Sequence, residues 1–167
     1  MGAPVITTPV GIDIPLKYLQ SFLNSQLFSG NSYEAYARAY LVDGIPYVYV
    51  GSREYQELLF NDVNEAQSFF MVGDREEINV NHYQADVDIV FFVDLATCYP
   101  TITHRADEEC VREIWQLLTG QPASFKLTSI KTGENALDGI KYTDTMQPYF
   151  IAKFSGTLIY NYQNEGC

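Results

Sequence analysis

Apolar residues along the chain follow two different periods, and the changes between them mark out the elements. Leu16, Leu19, Leu23 and Leu27 recur at steps of three, four and four, which predicts an amphipathic helix. Asp13 is a good N-cap for it, Pro15 is tolerated in its first turn, and Ser29-Gly30-Asn31 ends it. The period then drops to two. Tyr36, Arg38, Tyr40 and Val42 alternate with Ala35, Ala37, Ala39 and Leu41, Asp43-Gly44 turns the chain, and residues 45–50 return as a partner strand. The Ala-rich limb is also compatible with helix; the Asp-Gly turn favours the hairpin. Residues 51–67 are polar and mixed, and read as a loop with a turn of helix at 53–59.

A second β region is predicted at 68–72 and again at 78–95. In the latter, Ala85, Val87, Ile89, Phe91 and Val93 form one face, and Asp86, Asp88, Val90, Phe92 and Asp94 the other. The second face is apolar in its middle and acidic at both ends, as in a strand that crosses a packed region between two wet ones. Tyr99-Pro100 stops it. Thr101 or Thr103 then caps a helix with Asp107, Glu108 and Glu109 in its first turn, where the helix dipole favours anions. Ala106, Cys110, Ile114 and Leu117 give that helix its core stripe, with Val111, Trp115 and Leu118 alongside, and Gly120 and Pro122 end it. A strand at 125–130, a polar loop at 131–148 and a last strand at 149–162 follow. The first twelve residues, broken by Pro4, Pro9 and Gly11, form an extended arm. The expectation is an arm at 1–12 and one α+β domain at 13–167, a mostly antiparallel sheet with two amphipathic helices packed on it.

Composition narrows the function. With 167 residues, 47% hydrophobic and 19% charged, the chain is long and apolar enough to build a core without disulfide or metal staples. Ten Lys and Arg against 21 Asp and Glu leave a net charge of −11, which disfavours gripping phosphate backbones or anionic lipid. No segment has the run of about 18 apolar residues that a bilayer span needs, and the start lacks the pattern of a secretory signal. Three cysteines, Cys98, Cys110 and Cys167, show no C-x-x-C pair and suit a reducing compartment. The chain reads as cytosol-made and soluble.

Catalytic patterns are thin. Asp86-Val87-Asp88 puts two carboxylates on one face of a strand, a geometry that holds a divalent cation for phosphoryl transfer. With Ile89 it is similar to the metal-binding strand of nucleotidyltransferases. The Gly-Ser turn that family needs about a dozen residues upstream is missing, since Gly51-Ser52 lies too early. The bland reading, two acids keeping a strand end soluble, is the stronger. His82 and His104 lack partners at ligand spacing, Asp62, Asn64 and Glu65 lack the glycine of a calcium loop, and neither phosphate-loop pattern occurs. No cofactor or metal is expected, and the chain reads as a non-enzyme. The positive signal is tyrosine, 13 of them. Tyr36, Tyr40, Tyr47, Tyr49, Tyr149 and Tyr162 are interface candidates, because tyrosine buries area while its hydroxyl finds a partner.

The order of elements resembles the tail-terminator and head-to-tail connector ring proteins of tailed phages. The residues that carry it are the first helix (14–27), the strand Ala85-Asp86-Val87-Asp88-Ile89-Val90-Phe91-Phe92-Val93-Asp94, the helix at 105–114 and the closing strand at 154–160. It rests on a pattern of elements and not on a diagnostic motif. The resemblance implies a virion protein forming a homo-oligomeric ring of six or twelve copies, docked to portal, connector or tail proteins, with an axial channel through which DNA passes without sequence-specific binding. Asp86, Asp88 and Asp94 are then candidates for the channel wall, and the arm and the loop at 131–148 for docking. Two alternatives stand beside it: a cytosolic adaptor binding a protein through its tyrosines, and a metal-dependent nucleotide-handling enzyme using Asp86 and Asp88.

Overall fold

The computed structural model describes residues 4–51, 54–58, 60, 64–102, 104–120, 125–143, 146 and 148–162. In chain order these form α1 (Asp13–Gln26), β1 (Tyr33–Val42), β2 (Ile45–Gly51), β3 (Glu54–Glu57), β4 (Ala66–Asn79), β5 (His82–Val93), the short helix α2 (Leu95–Cys98), α3 (Ala106–Thr119), β6 (Lys126–Thr132), a 3-10 turn (Gly133–Ala136) and β7 (Phe150–Tyr160). The seven strands make one sheet in the order β3-β2-β1-β4-β5-β7-β6. All neighbours are antiparallel except β1 and β4, which run parallel. The class is α+β with a mostly antiparallel sheet.

Helices α1 and α3 cover one face of this sheet. Leu16, Leu19 and Leu23 of α1 and Cys110, Ile114 and Leu118 of α3 close over Ala85, Val87, Ile89, Phe91 and Val93, the alternating set of β5. Three details depart from the sequence reading. Asp13 is the first residue of α1 and not its cap; its carboxylate reaches across to β1, where Arg38 Nε lies 2.8 Å from Oδ1. Burial still holds the Asp13 carboxyl above its usual range, because desolvation outweighs the guanidinium. The N-cap of α3 is Arg105 and not Thr101; it is in a left-handed conformation and its side chain makes no capping hydrogen bond, while Thr103 and Pro122 lie outside the described residues. Trp115 is 46% exposed, on the solvent side of α3.

The opposite face carries a second core, around Val90 and Phe92, the apolar middle of the other face of β5. Val48, Phe69, Val90, Phe92 and Ile151 point into it from the strands. Leu58 and Phe60 cover them from one side of the chain, and Ala136, Ile140 and Met146 from the segment before β7. The polar loop expected at 131–148 is thus also a covering layer. Its buried Lys153 neighbour on β7 donates from Nζ to Asp138 Oδ2 at 2.9 Å, so an otherwise stranded ammonium is paired. Lys153 and Lys131 in turn hold the Asp138 carboxyl below the usual carboxylate range.

Two boundaries are corrected. The helical turn expected at 53–59 is strand β3, whose Tyr55 pairs with Tyr49 and extends the first hairpin. The strand expected from residue 78 begins at His82, and Ile78 belongs to β4. Gly73, which reads as a break, sits where the β4–β5 register shifts between Val72 and Arg75, so a bulge absorbs it and the strand continues. The reversal falls at Val80-Asn81, with Asn81 at φ 66°. The arm is tied down at Pro4, whose carbonyl accepts from Gln20 Nε2 at 3.0 Å.

Gln67 on β4 is completely buried, and among the described residues neither of its amide atoms has a hydrogen-bond partner. A buried amide without hydrogen bonds costs about 1–3 kcal/mol. Gln67→Met keeps the volume and removes the polar atoms, and we expect it to raise stability by about 1 kcal/mol in urea unfolding. A lower midpoint than that of the parent would contradict this.

Candidate functional site

Residues Asp86 and Asp88 lie on β5 with their side chains on one face, as period two requires. Asp88 is paired between Met71 of β4 and Ser155 of β7, and Asp86 is opposite Thr157. Their neighbours are therefore hydroxyls and a thioether, and among the described residues no three His, Cys, Asp or Glu side chains gather to hold a metal. Asp94 does not continue the row. It caps α2, accepting from Thr97 N at 3.3 Å and from Thr97 Oγ1 at 2.9 Å. Eight residues of strand also set it about 27 Å from Asp86. The row of three acids is corrected to a pair and a cap.

The histidines stay apart from any such site. His104 is exposed, and His82 is exposed beside the reversal, with Nδ1 3.1 Å from the Val80 carbonyl. Burial pushes the thiols of Cys98 and Cys110 up to about 12, so both are protonated at neutral pH and are poor nucleophiles. Cys167 lies outside the described residues. A cleft of about 530 Å³ opens between the end of α1 and α3, lined by Leu27, Phe28, Cys98, Tyr99, Glu113 and Gln116. Within it the Tyr99 hydroxyl donates to Glu113 Oε2 at 2.7 Å.

Tertiary structure divides the six candidate tyrosines into three places. Tyr40, Tyr47 and Tyr49 come together on β1 and β2 with Tyr55 of β3; the ring centroids are 5.7 Å apart for Tyr40–Tyr47, 5.1 Å for Tyr40–Tyr55 and 5.9 Å for Tyr49–Tyr55. Tyr40 is 48% exposed, whereas Tyr49 is buried. Tyr36 and Tyr149 instead pack against the second core, with hydroxyls donating to Glu34 Oε2 and to the Asn64 carbonyl. Tyr162 stands over Gly11 and receives a hydrogen bond from Arg75 at 3.1 Å. Hydrogen bonds with Tyr160 and Arg75 hold its hydroxyl below the usual tyrosine range.

The sequence reading missed one acidic feature. Residues 73–82 of the β4–β5 hairpin are exposed, so this end of the hairpin leaves the packed layers. It carries Asp74, Glu76 and Glu77 on β4, with Asp86 just inside, and its reversal shows Ile78 and Val80 at 46% and 75% exposure. The signal Asp74-Arg75-Glu76-Glu77 is plain in the sequence, but Gly73 interrupts the alternation that would have placed it on a strand.

The chain matches no family model and no curated protein sequence. Among the described residues no helix is long and apolar enough to cross a membrane.

Proposed function

We propose that this protein is a structural, ring-forming component of the head-to-tail connector or tail of a tailed phage, with an axial channel for DNA. The observation that carries the reading is the β4–β5 hairpin, whose residues 73–82 are exposed and carry Asp74, Glu76 and Glu77 beside one base, Arg75, which is held by the Tyr162 hydroxyl. A projecting, negatively charged hairpin repeated around a closed ring presents DNA with a wall that repels it and lets it slide. Asp86 and Asp88 belong to that wall in this reading, together with Asp74, Glu76 and Glu77. Asp94, occupied as a cap, does not. Six or twelve copies, docked to portal or tail neighbours in the virion, complete the proposal.

The adaptor reading has its own support in the tyrosine patch of β1–β3, where Tyr40 is half exposed. Mass photometry of the purified protein followed by negative-stain imaging separates the two. We expect closed particles of six or twelve copies with a central hole. Single copies at every concentration would sink the ring.

A further inference from the structure

The seven-stranded sheet is open, and among the described residues its end strands β3 and β6 each pair on one side only. An open edge presents unpaired backbone N–H and C=O groups, a template for another strand. The two edges differ in charge. β3 (Glu-Tyr-Gln-Glu) carries Glu54 and Glu57 and no base, and β6 (Lys-Leu-Thr-Ser-Ile-Lys-Thr) carries Lys126 and Lys131 and no acid. All four charged residues are exposed. Lys131 is lightly engaged at home, 3.5 Å from Asp138, which Lys153 holds more closely.

We propose that copies of this chain join head to tail, with β6 of one copy pairing antiparallel against β3 of the next. The inference rests on the ring reading above and names the surface that would close it. Strand direction supports it. If β5 is taken as running up, β4, β1, β3 and β7 run down, and β2 and β6 run up. A neighbour generated by rotation about an axis along the strands keeps those directions, so its descending β3 meets an ascending β6. That junction is antiparallel, the arrangement that five of the six pairings within the sheet already use. Antiparallel order also brings the Lys126 end of β6 to the Glu57 end of β3, and the Lys131 end to the Glu54 end.

Lysines on a sheet edge ordinarily keep copies apart. Here that effect is selective. Like charges face each other when β6 meets β6 or β3 meets β3, and this disfavours two-fold dimers through either edge. Opposite charges face each other only in the heterologous pairing. A heterologous interface propagates, and it closes into a ring when the rotation permits.

The test uses two full-length double variants. Lys126→Glu with Lys131→Glu makes both edges acidic; Glu54→Lys with Glu57→Lys makes both basic. Circular dichroism and thermal melting confirm that each is folded. In mass photometry at a concentration where the parent assembles, each variant alone should show about a tenfold or greater loss of assembled particles. Mixed in equal amounts, the two should reassemble into rings with an even number of copies, since acidic and basic subunits must alternate. Variants that assemble as the parent does, or a mixture that fails to recover, overturn the edge pairing and leave the ring reading standing. A parent that stays at single-copy mass at every concentration removes the ring reading and this inference with it.

Discussion

Replacing Gly156 by alanine is expected to lower stability by about 3 kcal/mol and to loosen β6 from the sheet. Gly156 lies on β7 between Val87 of β5 and Leu127 of β6. A Cβ there would sit 2.4 Å from the Lys126 carbonyl oxygen and 2.6 Å from the Phe125 ring. The ring could turn aside, but the carbonyl belongs to the backbone of the neighbouring strand and can retreat only if that strand moves. The Phe125 ring lies over the bare Gly156 backbone and fills the place a side chain would take, a device that lets a glycine persist in a strand interior. For a chain of this size, a cost of about 3 kcal/mol corresponds to a fall in Tm of about 10 °C. Hydrogen exchange should then quicken first in β6, the terminal strand on that side. A Tm within about 1 °C of the parent would show that the sheet has slack at this point. The same variant bears on assembly, because a displaced β6 removes one of the two proposed edges.

Phe92→Ala is the second large effect, with an expected cost of about 3–5 kcal/mol. Phe92 is fully buried on the face away from the helices. Its ring centroid lies 4.4 Å from that of Phe60 and 6.0 Å from that of Phe69. If the segments over this face were loose docking loops, Phe92 would border solvent and its truncation would cost about 1 kcal/mol or less. Packed as they are, alanine leaves a cavity under Phe60 and withdraws the surface that holds the covering layer. Urea unfolding measures the cost. Limited proteolysis near residue 60 and within 137–149 shows where the structure loosens. Since domains are stable by about 5–15 kcal/mol, this single change should remove a large share of the total.

Much of the architecture was legible along the chain. Leu16, Leu19 and Leu23 marked α1 because a helix places positions three and four apart on one side, and all three are buried. Ala85 to Val93 marked β5 because alternation is how a strand separates two faces, and every residue of the predicted face lies in the helix-side core. Asp43-Gly44 marked the first reversal because both residues adopt positive φ there. These signals are local, and each depends on residues within a turn or two of one another.

Contacts between distant residues decided the rest. Leu58, Phe60, Ala136, Ile140 and Met146 have no common period, since no single helix or strand presents them; they cover Val90 and Phe92 only because the fold brings two separate segments to one face. The fate of the tyrosines is similar, because a strand pattern cannot say whether Tyr36 faces a covering segment and Tyr40 the solvent. A bulge at residues 73–74 carried the acidic run of β4 onto a strand that Gly73 had masked. The candidate interface was least legible of all. β3 and β6 are ends of the sheet because β1 pairs in parallel with β4 and β7 inserts between β5 and β6. A sequence thus determines by itself the elements and the sides they bury, through periodicities that backbone geometry imposes on near neighbours. Strand order, and with it which charges stand at an open edge, follows from long-range burial and hydrogen bonding that leave no periodic trace in the chain.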